Sequence, residues 1–375
     1  MSLTCRTFLA GVAAAALTTG LARIVPAQST HTPPSALASE YVVLVISDGI
    51  RWQELFGGAD ATLMGKAGNV SDSASLQRDF WRDTPEARRA ALFPFLWNTV
   101  AAQGQLFGDP TQRSTARITN TKKFSYPGYS ETFTGFADPR IESNGYPPNP
   151  NVTVLEWLNR DPALRGQVAA FATWDAFTRI INAPRSGIPV YDGWERGVAP
   201  GNSSGNALLR QLYAETTRLW RDVAPDALMH HALLDYLATA SPRVLFVGYG
   251  ETDEWAHAGR YDLYLRAAQQ MDRYLAQLWA RVQSDPRTRN RTTLLVSTDH
   301  GRGDARDWTD HGEDVAGAEF IWSAAIGPDT PALGVRRDMP TQQAQMAATL
   351  AAVLGRQWQT AEPKAAPPLP IFRTR

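Results

Sequence analysis

YVVLVISDG, residues Tyr41 to Gly49, decides the fold. A continuous apolar run without polar alternation suits a strand buried on both faces. Such strands belong to parallel sheets covered by helices. Gln167–Thr173, Arg243–Tyr249 (RVLFVGY) and Thr292–Thr298 (TTLLVST) repeat the character. Helical periodicity fills the intervals at Leu208–Arg221, Asp226–Ala240 and Tyr261–Gln283, and Thr341–Leu354 reads as a last helix. Strands alternating with long helices predict an α/β fold, a doubly wound, mostly parallel central sheet flanked by helices on both faces. In such a sheet, the loops leaving the carboxyl ends of the strands build the site.

Those strand ends carry metal-binding chemistry. Asp48 ends the first strand, and Asp253 and His257 follow Arg243–Tyr249 four residues apart. On a helical turn that spacing points both side chains the same way. Asp299 and His300 follow Thr292–Thr298, and adjacent side chains diverge, so this pair can serve two neighbouring ions. His311 lies in a Gly-flanked loop, Asp310-His311-Gly312. Carboxylates mixed with imidazoles predict two divalent ions, zinc first among them; calcium prefers oxygen ligands alone. Each residue alone has a plainer reading. Asp48 or Asp253 could cap a helix, and His257 or His311 could be a hydrogen-bonded structural imidazole. Four segments together favour the metal site. His230-His231, inside a helical pattern, read as structural.

Between the first and second of these segments lies Phe124-Ser125-Tyr126-Pro127-Gly128-Tyr129-Ser130-Glu131. Pro127 and Gly128 make a turn after Ser125. A serine there can sit at a helix N-terminus, where free backbone N–H groups stabilise phosphoryl oxygens. Bound to a metal, its hydroxyl becomes a nucleophile. Without the metal segments, a capping serine in a structural turn would be the better reading.

The chain has 375 residues with 37 basic and 37 acidic side chains, so its formal net charge is zero. That balance argues against a nucleic-acid binder or a polybasic membrane-surface protein. Arg6 followed by Phe8–Ala22 (FLAGVAAAALTTGLA) reads as a signal segment, too short and too rich in small residues for a membrane span. Val25-Pro26-Ala27 places cleavage after Ala27, with an uncleaved anchor as the alternative. The expected organisation is signal peptide 1–27, linker 28–40, one catalytic domain over 41–360 and a Pro-rich tail over 361–375. Localisation is then periplasmic or secreted. The single cysteine, Cys5, precedes the apolar stretch and does not fit a lipoprotein signal, so the mature chain would use no disulfide. Asp60–Ala90 reads as a polar insertion. Oligomeric state is not written in the sequence.

The ordered set resembles the alkaline phosphatase superfamily, nearest its type I phosphodiesterase and nucleotide pyrophosphatase-like branch. The resemblance spans roughly Tyr41 to Gly327. It implies that Asp253, His257 and His311 hold one zinc, and that Asp48, Asp299 and His300 hold the other, with Ser125 reaching it. It implies a phosphoric ester hydrolase acting on a small-molecule phosphate ester: in-line attack by Ser125 on phosphorus, then hydrolysis of the phosphoseryl enzyme by water. An Asn about twenty residues past the nucleophile commonly donates to the transferred group in this superfamily, and Asn144 is the candidate. Two departures stand out. Gly128 replaces the Asn usual after the proline in phosphodiesterases, and Tyr129 stands where the sulfatase maturation motif has Arg.

A sulfatase-like hydrolase and a phosphoglycerate mutase-like phosphotransferase are the alternatives, and a ligand-binding relative without activity is the non-enzyme one. Lys122, Lys123, Arg140 and Arg302 are candidate phosphate clamps, each read first as a surface charge. Trp174, Tyr191 and Trp194 are candidates for stacking on a leaving group, each read first as core.

Overall fold

The computed structural model describes residues 37–200 and 204–373. The signal segment, its cleavage point and the linker up to residue 36 lie outside the described residues. The strands in chain order are β1 (Tyr41–Ser47), β2 (Gln105–Phe107), β3 (Ala116–Arg117), β4 (Val168–Ala172), β5 (Val190–Asp192), β6 (Val244–Tyr249), β7 (Thr292–Ser297), β8 (Phe320–Ile321), β9 (Ser323–Ile326), β10 (Gly334–Val335) and β11 (Thr341–Gln342). Eight of them form one sheet in the order β10-β2-β9-β7-β1-β6-β4-β5, and β11-β3-β8 form a small second one. From β5 across to β7 every pairing is parallel, and β9 then pairs antiparallel with both β7 and β2. This is the doubly wound, mostly parallel sheet that the apolar runs predict.

Burial on both faces explains those runs. Val43 and Val45 of β1 enter the same hydrophobic cluster as Leu245 and Val247 of β6 and Leu294 and Val296 of β7. Val42, Leu44 and Ile46 enter the opposite cluster with Val244, Phe246 and Leu295. The helix Tyr261–Ser284 covers the first face with Leu265, Ala268, Met271, Leu275 and Leu278, all buried at helical spacing. The helices Ser125–Thr134, Val154–Arg160 and Gln345–Val353 cover the second. Each fully buried large aliphatic side chain contributes about 1.5–3 kcal/mol.

The register sets the site. Ser47 pairs with Tyr249, and Ile46 pairs with Ser297. The three central strands therefore finish side by side, and the segments beginning at Asp48, Gly250 and Thr298 leave the same edge of the sheet. The chain reaches β6 and β7 on opposite sides of β1, so this edge is a topological switch point, where open α/β sheets place their ligands.

Several local readings differ from the structure. The helix read as Leu208–Arg221 is Ser204–Glu215; it stops before the β-branched pair Thr216-Thr217, and Val223 beyond them bridges to Trp174. The last helix loses its first residues to β11 and spans Gln345–Val353. Asp60–Ala90 is not a polar excursion. It holds the helix Ser73–Phe80, capped by Asp72, and the start of Pro85–Leu92, capped by Thr84. Leu76, Phe80 and Leu92 from these helices are buried in the first cluster. The Pro-rich stretch near residue 370 also packs inward: Leu369, Ile371 and Phe372 are buried, and Gln105 Nε2 donates to the Ile371 carbonyl at 3.1 Å.

Gly128 lets the helix Ser125–Thr134 lie against the segment after β7. A Cβ at this position would stand 2.5 Å from the Asp299 carbonyl oxygen, closer than atoms can approach. Gly128→Ala should therefore cost about 1–3 kcal/mol of stability by overpacking against backbone. Urea unfolding measures this, and an unshifted midpoint would show that the helix and the Asp299 segment are not in contact.

Candidate metal centre

Asp48, the residue after β1, is buried, with only its Oδ2 hydrogen-bonded, to the Tyr129 hydroxyl at 3.3 Å. Asp299, two residues past β7, is fully buried and accepts from the Gly49 N–H at 3.1 Å through Oδ1. Gly49 has φ +62°, a conformation that favours glycine, and its side-chain space is already taken by Arg302 and Asp253. Asp253 and His257 lie on the short helix Glu251–His257, four apart, with His257 Nε2 3.2 Å from Asp253 Oδ2.

The imidazoles are oriented from behind. The Nδ1 nitrogens of His300 and His311 lie 2.9 Å from the Gly301 carbonyl and 3.0 Å from the Lys123 carbonyl. A carbonyl can only accept, so Nδ1 carries the proton in both rings and Nε2 presents a lone pair to the site. His300 Nε2 stands 3.2 Å from Asp48 Oδ1, 3.5 Å from Asp299 Oδ2, 3.9 Å from Asp253 Oδ1 and 3.4 Å from Ser125 Oγ. His311 Nε2 stands 2.9 Å from His257 Nε2 and 3.6 Å from Asp253 Oδ1, and its ring stacks on His300 with centroids 3.8 Å apart.

Two neighbouring nests result. One is Asp48, Asp299 and His300, with Ser125 Oγ 3.4 Å from the imidazole; the other is Asp253, His300 and His311, with His257 lying 3.2 Å from Asp253 and 2.9 Å from His311. The donors fit a pair of divalent ions. Asp48 Oδ1 and Asp299 Oδ2 are buried without a hydrogen bond, which native proteins avoid unless something else satisfies the atom. The Nε2 atoms of His257 and His311 stand 2.9 Å apart, and with both rings neutral a cation could take a lone pair from each.

Electrostatics point the same way. Burial, then the Asp253 charge, pushes Asp48 well above the ordinary carboxylate range. Burial and the Asp48 charge do the same to Asp299. Asp253 is held well below that range: burial opposes this, and the Arg302 guanidinium, helped by His257 and His311, overrides it. Burial and the neighbouring His300 push His311 down to about 2, so its ring is neutral and able to bind metal.

Ser125 is the first residue of its helix and is buried. The N–H of Tyr126 donates to Asn144 Oδ1 at 2.9 Å, which places Asn144 at the Ser125 turn with its amide NH₂ turned away from that N–H. Pro127 has no N–H, and Gly128 donates within the helix to Phe124. Of the backbone donors expected at this helix start, Asn144 takes one, proline removes another and the helix takes a third, which leaves the N–H of Ser125 itself.

Arg302 overturns its reading as a surface charge. It is buried, donates to Asp253 Oδ1, and holds the Trp308 and Thr309 carbonyls that lead toward His311. Its place directly after Asp299-His300-Gly301 was the available signal. Tyr129, seen in the sequence only as a missing arginine, is the hydroxyl that holds Asp48. Arg51, three residues past Asp48, makes a buried ion pair with Glu54 and donates to the Gly303 carbonyl at 3.2 Å, tying together the loops that follow β1 and β7. The three-residue spacing of Arg51 and Glu54 was the available signal for the pair, and nothing local marks its burial. Lys122 pairs with Glu313, Lys123 with Glu319 and Arg140 with Asp138. Trp194 is buried against Tyr213, Tyr191 packs on Phe171, and Trp174 sits edge-on to Phe177. His230 is structural, hydrogen-bonded at 2.8 Å to the Tyr249 hydroxyl and at 2.9 Å to Gln277.

No family model matches the sequence, and no curated protein does. The structure is similar to the phosphonate monoester hydrolase of Agrobacterium radiobacter, with a TM-score of 0.51 and 13% identity over 84% of this chain and 74% of that one. It is similar to the phosphonate monoester hydrolase of Silicibacter pomeroyi, with a TM-score of 0.50 and 13% identity over 88% and 78%. It is also similar to a 2-O GAG sulfatase, with a TM-score of 0.51 and 10% identity over 85% and 71%. Among the described residues no helix is long and apolar enough to cross a membrane. At such low identities the likeness is one of architecture: the chain shares the fold of these hydrolases.

Proposed function

We propose that this protein is an exported hydrolase of singly charged phosphoric esters, with Ser125 as covalent nucleophile and two divalent ions, zinc first among them, in the paired nests. The observation that carries the reading is the serine hydroxyl at a helix start, 3.4 Å from the imidazole that borders both nests. Asp253, His257 and His311 would hold one ion, and Asp48, Asp299 and His300 the other. Bound ions of this kind supply Lewis acidity: they acidify a nearby hydroxyl and neutralise charge on the reacting ester. Ser125 Oγ, its proton lost, would attack phosphorus, one ester oxygen would leave as the alcohol after taking up a proton, and water would then release the remaining phosphomonoester from the serine and restore its hydroxyl. Asn144, its Oδ1 engaged by Tyr126, keeps its amide NH₂ for an oxygen of the transferred group.

The preference for one negative charge rests on the cations. Of the four candidate clamps, Arg302, Lys122, Lys123 and Arg140, each already has a carboxylate partner, which supports a singly charged ester. Sulfate esters and phosphonate monoesters are also singly charged, and the likeness to a sulfatase keeps a sulfatase as the second reading. Against it, Tyr129 occupies the arginine position of the maturation motif and is committed to Asp48.

Zinc-loaded protein should turn over bis-p-nitrophenyl phosphate in preference to p-nitrophenyl phosphate, and EDTA should stop it. Turnover of p-nitrophenyl sulfate alone would replace this reading with the sulfatase one. Ser125→Ala should lower kcat by several orders of magnitude while leaving zinc content intact by mass spectrometry. Full activity in that variant would remove Ser125 from the mechanism. His257→Ala and His311→Ala should each weaken zinc binding by more than the roughly 10–100-fold that loss of an outer-sphere partner costs.

The raised carboxyls give a pH dependence of definite sign. Asp48 and Asp299 hold protons in the metal-free fold that the unfolded chain has already released. Their contribution to stability is complete below the unfolded carboxylate pKa and is lost as pH rises through their raised values. Asp253, held low by Arg302, stays ionised throughout that window. His230 and His311, pushed down by burial, work the other way, because the unfolded chain protonates them at pH 5. The carboxyl share is therefore read as a difference: between pH 5 and pH 8 EDTA-treated protein should lose more stability than its Asp48→Asn variant, and an equal change in both would contradict the assignment.

A further inference from the structure

Glu131 is a fully buried carboxyl two turns along the helix that begins with Ser125, and it touches neither the serine hydroxyl nor either nest. Five hydrogen bonds converge on it. The Thr119 N–H reaches both oxygens at 2.8 and 3.0 Å, the Thr119 hydroxyl donates at 2.8 Å, and Asn120 donates through its N–H at 2.8 Å and through Nδ2 at 2.9 Å. A buried acidic group costs free energy unless its partners are worth it, and here all of them lie on the strand-to-helix loop just before the nucleophile.

The chain of contacts runs on from there. Asn120, fixed by Glu131, accepts the Lys123 N–H through Oδ1 at 2.9 Å. Lys123 has φ +52°, a region few side-chain-bearing residues occupy. In that conformation its carbonyl lies 3.0 Å from His311 Nδ1, while the next residues lead through Phe124 into Ser125. One closed ring of structure thus sets two things at once: where the serine sits, and which way the His311 imidazole faces.

We propose that Glu131 is the positioning residue of this site, acting through Asn120 and the Lys123 carbonyl to fix Ser125 and the His311 tautomer relative to each other. The proposal rests on the reading of Ser125 and His311 given under Proposed function. Glu131→Gln keeps the size but turns an NH₂ against donors that need an acceptor. Asn120→Ala leaves Glu131 in place and cuts the link to Lys123.

The test uses the full chain and both variants. The first readout is the imidazole ¹⁵N spectrum of EDTA-treated protein, with the His311 signal identified by its loss in His311→Gln. Both variants should lose the hydrogen-bonded Nδ1–H signature of His311. In zinc-loaded protein, kcat on bis-p-nitrophenyl phosphate should fall about 10²-fold, as for a misplacement near 1 Å, with KM nearly unchanged. Zinc affinity at the weaker site should fall about 10–100-fold by chelator competition. A folded Glu131→Gln or Asn120→Ala protein with an unchanged His311 signal overturns the proposal; if the first variant does not fold, the second decides. If the parent protein shows no zinc-dependent turnover, the reading of the site fails, and the His311 signal still decides the role of Glu131.

Discussion

Two buried carboxylates, Asp48 and Asp299, and the half-buried Asp253 meet beyond the ends of three adjacent strands, and the surroundings answer the repulsion this creates. Like charges brought together in a poorly solvated place must be protonated, paired or bound to a cation. The chain shows the first two and is built in a way that suits the third. Asp48 and Asp299 are pushed toward the protonated form, Asp253 is kept ionised by Arg302, and the oxygens left without hydrogen bonds face imidazole lone pairs. The other contacts at the site are consequences of this crowding. The Tyr129 hydroxyl and the Gly49 N–H each satisfy one oxygen, and backbone carbonyls set the two histidine tautomers.

The architecture was legible because a parallel strand covered on both faces has no polar side to hide: Val42 to Ile46 divide between two cores, and so all read as apolar. The order of the acidic and histidine segments was legible because each directly follows such a strand. What stayed hidden depends on partners distant in sequence. Arg302 looks like any surface arginine until Asp253, 49 residues away, folds against it. Glu131 reads as an ordinary helical acid, and its value comes from a loop turning back over it. The helix start at Ser125 looked like a cradle of free N–H groups, but the amide of Asn144 fills one position and proline removes another. Local pattern reports burial and period; it is silent on which polar group ends beside which.

The likeness to phosphonate monoester hydrolases and a sulfatase carries the same division. At 10–13% identity, what is held in common is a sheet whose strand ends converge. The side chains placed on those ends, and the loops behind them, are this chain's own. Gly128 is an instance. It is a departure from the diesterase wording, and its lack of a side chain is what lets the serine helix lie against the Asp299 carbonyl.

The register of β1 has a kinetic side. Its neighbours β6 and β7 arrive some two hundred and more residues later in the chain: the Gly49 N–H bonds a carboxylate 250 positions downstream. Closing loops of that length must precede any reward from the contacts they make, so pairing of this kind is a late and slow event in folding. The first carboxylate therefore waits, unpartnered, for most of the polypeptide to be made and to collapse. The cluster of Asp48, Asp299 and His300 is complete only when the final central strand docks, which makes that gathering of donors a record that the whole sheet has been assembled.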